Sequence, residues 1–377
     1  MFNITEYVNT CMLEFNDHPF SAVDSLVLSQ FCYLRLDKIF TEIKTNQDKI
    51  YIKDLFRSEH FDSMLYNVWA PDDNKKLLIA LAASPRFRDI MIDHYVNYID
   101  EKSELQFSAI TCFLPNDITY IAYRGTDATL IGWKEDFNMS FTMPVPAQEE
   151  ALLYLEKISK DTFNNIILGG HSKGGNLAIY AGMFASEAIK QRLIGIYSHD
   201  GPGFNKDVIN SQTYQSITHL INKTIPQSSF IGLLLENQNH YEVVKSASFW
   251  FYQHDPFSWE IKDNDFIYVD KLTNAAKYTN KTINDWLNTA STEERELFIE
   301  TLYNVIKATE AKTIHDLGKD IIQEGKNVLA AINDVDDKTK KFVMQAIKEL
   351  VGLSLKNLVP SIPKKGINHD TEDDNDN

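Results

Sequence analysis

The sequence predicts an α/β fold in which helices flank a mostly parallel sheet, and three observations support this prediction. Short β-rich runs alternate with helical segments between residues 106 and 197, which is the order typical of parallel sheets. One apolar run, residues 166–168, leads through a glycine-rich turn directly into a helical segment. The chain has 377 residues, 44% of them hydrophobic, and is long enough to bury a large core.

The strands of this sheet are expected in short runs bounded by turn signals. The first two, at 106–114 and 118–125, are separated by Pro115-Asn116-Asp117, which is a hairpin-like turn. A helix over 147–158 then leads into the strand that contains residues 166–168. Later β-rich runs predict three further strands, at 193–197, 217–222 and 241–246.

Helices are expected on both sides of the sheet along the chain. An N-terminal helical segment is predicted to include helices over 24–40 and 84–99. Residues 281–360 are predicted to form a helical C-terminal extension with an apolar stripe that could bind a protein partner, and 361–377 a disordered acidic tail. The sheet and the N-terminal helices together form the predicted main domain, residues 1–280.

Composition limits the classes of partner. The net charge of −16 argues against nucleic acid or an anionic membrane as the main partner, because both bind basic surfaces. Cys11, Cys32 and Cys112 lack metal-ligand spacing and are expected to be reduced thiols, and no cofactor is expected. The first ten residues do not resemble a signal peptide, and no apolar run reaches the ~18 residues of a membrane span. We therefore expect a cytoplasmic protein.

The turn after the apolar run is a G-x-S-x-G motif, Gly170-His171-Ser172-Lys173-Gly174. Between a strand and a helix, this motif forms an elbow that exposes the serine oxygen, and its glycines leave room for the tight turn. The motif therefore predicts Ser172 as a nucleophile. A glycine-rich turn in any α/β sheet is the structural alternative, whereas a phosphate-binding loop would need its glycine, lysine and hydroxyl residues in another order.

A serine nucleophile needs a histidine base that follows it in the chain of an elbow fold. His254 is favoured because it follows the last predicted strand, in an aromatic-rich loop that could exclude water. His240 is the alternative base. His199 comes too early to follow the acid of such a fold, and His219 lies within a predicted strand.

The acid that orients the base is predicted to be Asp200, 28 positions after Ser172 (200 − 172) at the end of a strand. A turn aspartate that caps its own backbone is the alternative interpretation of this residue. Asp255 is too close to His254 in sequence to orient it easily. The expected oxyanion donors are the backbone N–H groups of Lys173 and Thr126.

Several of these segments resemble the class-three, or fungal-type, lipases. The resemblance covers about residues 106–260 and rests on Arg124-Gly125-Thr126, on Trp133-Lys134-Glu135-Asp136 and on Gly170-His171-Ser172. It implies an α/β-hydrolase fold with Ser172 as the nucleophile, Thr126 and Lys173 as oxyanion donors, and His254 as the late histidine. It also implies an acid after the next strand, where residues 222–228 contain no carboxylate, so that Asp200 would have to replace it.

Nearly the whole chain resembles a bacterial family of lipase-like hydrolases related to these lipases. The matching segments are PFSAVDSLVLSQFCYL at 19–34, QFSAI at 106–110, YRGTD at 123–127, WKEDFNMSF at 133–141, the elbow, DGPGF at 200–204 and QHDPFSW at 253–259. This family by itself indicates little about the substrate.

The leading hypothesis is a serine hydrolase that cleaves small-molecule esters or lipids through a Ser-His-Asp mechanism. A thioesterase or a peptidase would use the same three residues. A non-catalytic or regulatory protein on a hydrolase scaffold is the alternative from another class, suggested by the missing lipase-type acid and by the long helical extension.

Overall fold

The computed structural model describes residues 2–100, 105–126, 139, 143–229, 231–235, 241–248, 250–274 and five single positions between 276 and 294. Within these residues one sheet has eight strands in chain order. They are β1 (Ile50–Tyr51), β2 (Met91–Asp100), β3 (Leu105–Leu114), β4 (Ile118–Tyr123), β5 (Asn165–His171), β6 (Leu193–His199), β7 (Ile221–Pro226) and β8 (Glu242–Val244).

The sheet changes direction at β4. Strands β1 to β4 pair antiparallel, whereas β4 to β8 pair parallel, which makes four of the seven strand pairs parallel. The predicted α/β fold with a mostly parallel sheet is therefore confirmed. A separate hairpin follows the sheet and is formed by β9 (Ile261–Lys262) and β10 (Asp265–Phe266).

Ten α-helices cover the two faces of the sheet in the described part of the chain. They are α1 (Ile4–Thr10), α2 (Ala22–Phe31), α3 (Asp37–Asn46), α4 (Phe61–Met64), α5 (Pro71–Ala83), α6 (Pro146–Asp161), α7 (Lys173–Phe184), α8 (Glu187–Lys190), α9 (Lys206–Ile209) and α10 (Gln212–Gln215). Short 3-10 helices include Thr218–Leu220, Ile231–Leu233, Trp250–His254 and Pro256–Ser258.

Three sequence predictions of these elements were wrong in type or extent. The predicted helix over 84–99 is a turn followed by β2, because this segment pairs with β3 along its length. The predicted helix over 24–40 breaks after α2, and the backbone N–H of Arg35 instead bonds to the Met64 carbonyl. The predicted strand at 217–222 begins with the 3-10 helix Thr218–Leu220, so that β7 starts only at Ile221.

Among the described residues, the hydrophobic core has two main parts, one on each face of the sheet. The N-terminal helices fill one part together with Ile110, Tyr120 and Trp259, whereas α6 and α7 fill the other part with Leu168 and Ile196. The elbow between β5 and α7 is therefore enclosed by packed elements on both sides. Burial of this much apolar side-chain surface is the main stabilising term for such a layered fold.

The predicted C-terminal extension and acidic tail lie outside the described residues, apart from three single positions in the extension, so the proposed domain boundaries stay predictions. No helix in the described part of the chain is long and apolar enough to span a membrane.

Candidate active site

The elbow lies between β5, which ends at His171, and α7, which begins at Lys173. Ser172 itself has φ 57° and ψ −131°, which is a strained conformation for a residue with a side chain. The two glycines of the motif are needed because the backbones around them touch. A Cβ on Gly174 would lie 2.1 Å from the Tyr123 carbonyl oxygen, and one on Gly170 would lie 2.2 Å from the carbonyl carbon of Gly174.

Three side chains from distant parts of the chain form a continuous line of hydrogen bonds. Ser172 Oγ lies 3.0 Å from His254 Nε2, and His254 Nδ1 lies 2.6 Å from Asp200 Oδ2. An ionised carboxylate only accepts, so the proton of the neutral imidazole is on Nδ1. His254 Nε2 is then the acceptor for the Ser172 hydroxyl, which is the arrangement that a general base requires.

Asp200 is held by contacts on both of its carboxylate oxygens. Its side chain is completely buried, and Oδ1 accepts hydrogen bonds from Ser229 Oγ at 2.5 Å and from the Gly232 backbone N–H at 3.1 Å. The backbone of Asp200 has φ 50°, and its N–H donates to the Thr224 carbonyl on β7. Oδ2 is therefore aimed at His254 by a fixed turn. Neither Ser229 nor Gly232 was identified from the sequence.

The 3-10 helix Trp250–His254 ends at His254, and His171 of the elbow anchors this end. His171 Nε2 donates to the His254 carbonyl oxygen at 2.8 Å, and His171 Nδ1 accepts from the Tyr33 hydroxyl at 3.2 Å. Burial lowers the pKa of His171 well below its usual range, with smaller contributions from His254 and His199. Because the lowered pKa keeps His171 neutral and its Nε2 carries the proton, Nδ1 is the acceptor for the Tyr33 hydroxyl.

Gln253, the residue before His254, anchors the same 3-10 helix through both polar atoms of its side-chain amide. Its amide oxygen accepts from the Ser228 backbone N–H at 2.6 Å, and its amide nitrogen donates to the Ser248 carbonyl at 2.9 Å. The buried Trp259 indole donates to the Gln253 carbonyl at 2.8 Å. The sequence predicted that the base lies in this aromatic-rich segment, but no local sequence pattern indicated which side chains would hold the segment.

The residues predicted as oxyanion donors lie at the same edge of the sheet as Ser172. Thr126 follows β4, which pairs with β5, and its neighbour Gly125 packs against the elbow: a Cβ there would lie 2.6 Å from the His171 carbonyl oxygen. The backbone N–H of Lys173 is at the N-terminus of α7, where the helix dipole places a partial positive charge. The Lys173 side chain is buried and donates to the Gln106 carbonyl at 2.9 Å. The oxyanion roles of Thr126 and Lys173 stay predictions.

The turn after Asp200 is attached to α7 through a buried amide pair. Gln148 Nε2 donates to Asn176 Oδ1 at 2.8 Å, and Asn176 Nδ2 donates to the carbonyl oxygens of Pro202 and Gly203 at 3.2 and 3.0 Å. This pair connects α6, α7 and the loop that carries Asp200. It therefore couples the position of Asp200 to the helix that begins at the elbow.

The other sequence candidates have different surroundings. His240 lies outside the described residues. His199 is buried between Thr224 Oγ1 at 2.7 Å and Ser25 Oγ at 2.9 Å, and burial lowers its pKa to about 3. Asp255 accepts from the backbone N–H of Phe257 at 3.1 Å, and burial raises its pKa to about 6.

No group of three or more His, Cys, Asp or Glu side chains in the described part of the chain is placed to hold a metal ion.

Comparison with known proteins identifies the family of this chain. The family model described as Mbeg1-like matches residues 81–304, which is more than half of the sequence. The chain belongs to the Mbeg1-like family. Together with the elbow and the layered sheet, this match confirms the predicted membership of a lipase-like α/β-hydrolase family. No curated protein matches the chain.

Solved structures similar to this Mbeg1-like chain include three lipases. A fungal lipase in complex with an inhibitor is 13% identical, with coverage of 59% of this chain and 76% of the lipase, at a TM-score of 0.35. The Rhizomucor miehei lipase in complex with its propeptide is 13% identical, with coverage of 59% and 67%, at a TM-score of 0.36. The M37 lipase is 14% identical, with coverage of 57% and 70%, at a TM-score of 0.36.

Proposed function

We propose that the protein is a serine hydrolase that cleaves carboxylic esters through a covalent acyl-enzyme intermediate. The observation that supports this function most directly is the line of hydrogen bonds from Ser172 Oγ through His254 to Asp200. Ser172 is the proposed nucleophile, His254 the general base and then the general acid, and Asp200 the residue that orients His254. The proposed chemistry uses no metal ion or cofactor.

Each step moves one proton and exchanges one bond. His254 Nε2 takes the Ser172 hydroxyl proton while Oγ attacks the ester carbonyl carbon and forms a tetrahedral oxyanion. The carbonyl then re-forms, the carbon–oxygen bond to the alcohol breaks, and His254 returns the proton to the departing alcohol. Water attacks the acyl-enzyme by the same route, which releases the carboxylic acid and restores Ser172 and neutral His254.

The oxyanion formed in both steps needs hydrogen-bond donors that are already in position. We assign this role to the backbone N–H groups of Lys173 and Thr126, each worth on the order of 3 kcal/mol in the transition state. The position of Lys173 at the N-terminus of α7 supports this assignment because the partial positive charge of the helix end stabilises an anion there.

The proposed substrate is a small-molecule ester or a lipid ester. A thioester or an amide would be attacked by the same three residues, so a panel of matched ester, thioester and amide compounds distinguishes these substrate classes. The geometry weighs against a non-catalytic scaffold, because a fully buried carboxylate and a serine with a strained backbone are both costly to maintain.

The test is covalent labelling of the purified full-length chain by a fluorophosphonate probe, together with hydrolysis of p-nitrophenyl butyrate. We expect labelling and hydrolysis in the wild type, no labelling of Ser172→Ala, and at least a hundredfold slower labelling of His254→Ala. His219→Ala is the matched control, because His219 is exposed on the 3-10 helix Thr218–Leu220. His240→Ala tests the alternative base.

Two results would contradict the proposal. Ester hydrolysis unchanged in Ser172→Ala would exclude this serine as the nucleophile. A folded wild type that neither reacts with the probe nor hydrolyses any of the ester, thioester or amide compounds would favour the non-catalytic scaffold.

A further inference from the structure

A buried lysine lies beside the turn that carries Asp200. Lys223 is on β7, opposite Ser198 of β6 in the strand register, and only 6% of it is exposed. Its ammonium nitrogen donates to the Gly201 carbonyl oxygen at 2.8 Å. Lysine is among the residues least often buried in proteins, so this position calls for a physical reason.

The Gly201 carbonyl belongs to the residue that directly follows the proposed acid. The backbone of Asp200 has φ 50° and its N–H is held by the Thr224 carbonyl, also on β7. β7 therefore holds the Asp200 turn at two points, one before and one after the Asp200 side chain. The turn is also closely packed at Gly201, where an added Cβ would lie 2.6 Å from Ser198 Oγ and 2.8 Å from the Ser172 carbonyl oxygen, so no side chain fits there.

The energetics of Lys223 also link it to Asp200. Burial lowers the pKa of Lys223 to about 7, and the charge of the Asp200 carboxylate opposes this effect. The nitrogen donates to Gly201 in both protonation states, since a neutral amine keeps two N–H groups. An apolar side chain of similar volume would avoid the desolvation cost altogether. A contribution to folding stability therefore does not explain why a lysine lies here, whereas its hydrogen bond to the Asp200–Gly201 turn does.

We propose that Lys223 is a positioning residue that holds the Asp200–Gly201 turn and thereby aims the Asp200 carboxylate at His254. The inference rests on the proposed hydrolase function for its kinetic consequence, but its structural consequence, the quality of the hydrogen bond between Asp200 and His254, is measurable without turnover.

The kinetic test compares Lys223→Met, which removes the donor and keeps the volume, with Lys223→Arg, which keeps a donor. We expect Lys223→Met to lower kcat for p-nitrophenyl butyrate about tenfold with KM changed by less than about twofold, because a displaced acid affects the transition state and not substrate binding. Lys223→Arg is expected to recover most of kcat. Lys245→Met removes the same charge from the half-exposed Lys245 and serves as the matched control.

The second measurement is the low-field proton resonance of the imidazole N–H that His254 shares with Asp200, recorded by NMR and assigned by its loss in Asp200→Ala. We expect this resonance to move or broaden in Lys223→Met and to keep its wild-type position in Lys245→Met. Thermal unfolding of each variant verifies that it is folded. If Lys223→Arg does not fold, the Lys223→Met result decides alone.

The outcomes separate the two proposals. An unchanged resonance in folded Lys223→Met overturns the positioning role, and so does a variant that loses stability while kcat and the resonance stay at wild-type values. A wild type without labelling or hydrolysis contradicts the hydrolase function alone, because the NMR comparison still measures whether Lys223 controls the bond between Asp200 and His254.

Discussion

At the scale of single residues, the decisive feature is the number of donors around Asp200. Its two oxygens accept from His254 Nδ1, from the Ser229 hydroxyl and from the Gly232 backbone N–H. A carboxylate satisfies all three donors, whereas a carboxamide offers only one accepting oxygen. The site therefore distinguishes Asp from Asn by hydrogen-bond chemistry alone, although the two side chains have nearly the same shape.

This difference predicts the effect of Asp200→Asn. The amide nitrogen must face either the donors Ser229 and Gly232 or the Nδ1–H of His254. The second arrangement forces the proton of His254 onto Nε2, so that this nitrogen can no longer accept the Ser172 proton as the proposed base must. We expect kcat for ester hydrolysis to fall by about 10³ to 10⁴ with little change in KM.

The matched control for this variant is Asp255→Asn at the neighbouring carboxyl group. Asp255 accepts from the Phe257 backbone N–H, and a carboxamide oxygen can accept this bond equally well. We expect kcat of Asp255→Asn to stay within about threefold of the wild type. Equal losses in the two variants would contradict Asp200 as the acid.

At the scale of elements, the junction of β5 and α7 depends on close backbone contacts. Its G-x-S-x-G motif predicted the elbow correctly, because one of its glycine contacts is local to the turn: a Cβ on Gly170 would lie 2.2 Å from the Gly174 carbonyl carbon. The contact that makes Gly174 necessary is not local: it is made with the Tyr123 carbonyl of β4, the strand beside β5.

This contact predicts that Gly174→Ala is severely destabilising. The added Cβ would overlap the Tyr123 carbonyl oxygen at 2.1 Å, so the strand or the helix must shift. We expect the free energy of unfolding in urea to fall by about 3 kcal/mol and ester hydrolysis to be lost.

Gly195→Ala on β6 is the control for the elbow substitution. A Cβ at Gly195 would lie 3.2 Å from the Tyr197 ring and 3.9 Å from Ile167, and the ring can adjust. We expect a change of less than about 1 kcal/mol in unfolding free energy. A Gly174→Ala protein as stable and active as Gly195→Ala would disprove the role assigned to this contact.

Element type was predicted least well where long-range pairing decided it. The segment that includes β2 contains apolar residues at helical spacing, yet it forms a strand because its partner β3 supplies hydrogen bonds along its length. A bulge between Asp93 and Val96, with His94 at φ 56°, interrupts the alternation that would have revealed a strand.

At the scale of the whole molecule, His199 joins the N-terminal helical layer to the sheet. Its ring bonds to Ser25 of α2 on one side and to Thr224 of β7 on the other. Tyr33, which contacts the elbow histidine His171, comes from the same N-terminal segment. The helical layer therefore belongs to the site as well as to the core.

The buried His199 predicts a pH dependence of stability. Burial lowers its pKa to about 3 in the folded protein, against about 6.5 in an unfolded chain. The unfolded state thus binds more protons below pH 6.5, so stability present at higher pH is lost as the pH falls towards 3. Between pH 7.5 and 5.5 we expect His199 to account for a loss of about 1.4 kcal/mol in unfolding free energy.

The measurement is urea unfolding of the wild type, His199→Gln and His219→Gln at both pH values. We expect His199→Gln to be less stable at pH 7.5, because two buried bonds are changed, but to lose about 1.4 kcal/mol less on acidification than the wild type. Because His219 is exposed, His219→Gln should lose as much unfolding free energy between pH 7.5 and 5.5 as the wild type does. The buried His171 contributes in the same direction in all three proteins, so its effect cancels in the comparison. An equal loss of unfolding free energy on acidification in His199→Gln and the wild type would therefore contradict this account.

The sequence by itself determined the local features of this protein: the elbow at Ser172, the α/β order of the segments around it, and candidate residues that follow the serine in the chain. These depend on neighbours in sequence, namely glycine positions, strand and helix patterns, and residue order. Only the tertiary structure decided which side chains hold those candidates, because Tyr33, Ser229 and Lys223 reach the site from other elements. Hydrogen bonds between distant segments leave no local pattern, and the same is true of the strand pairing that made residues 91–100 a strand.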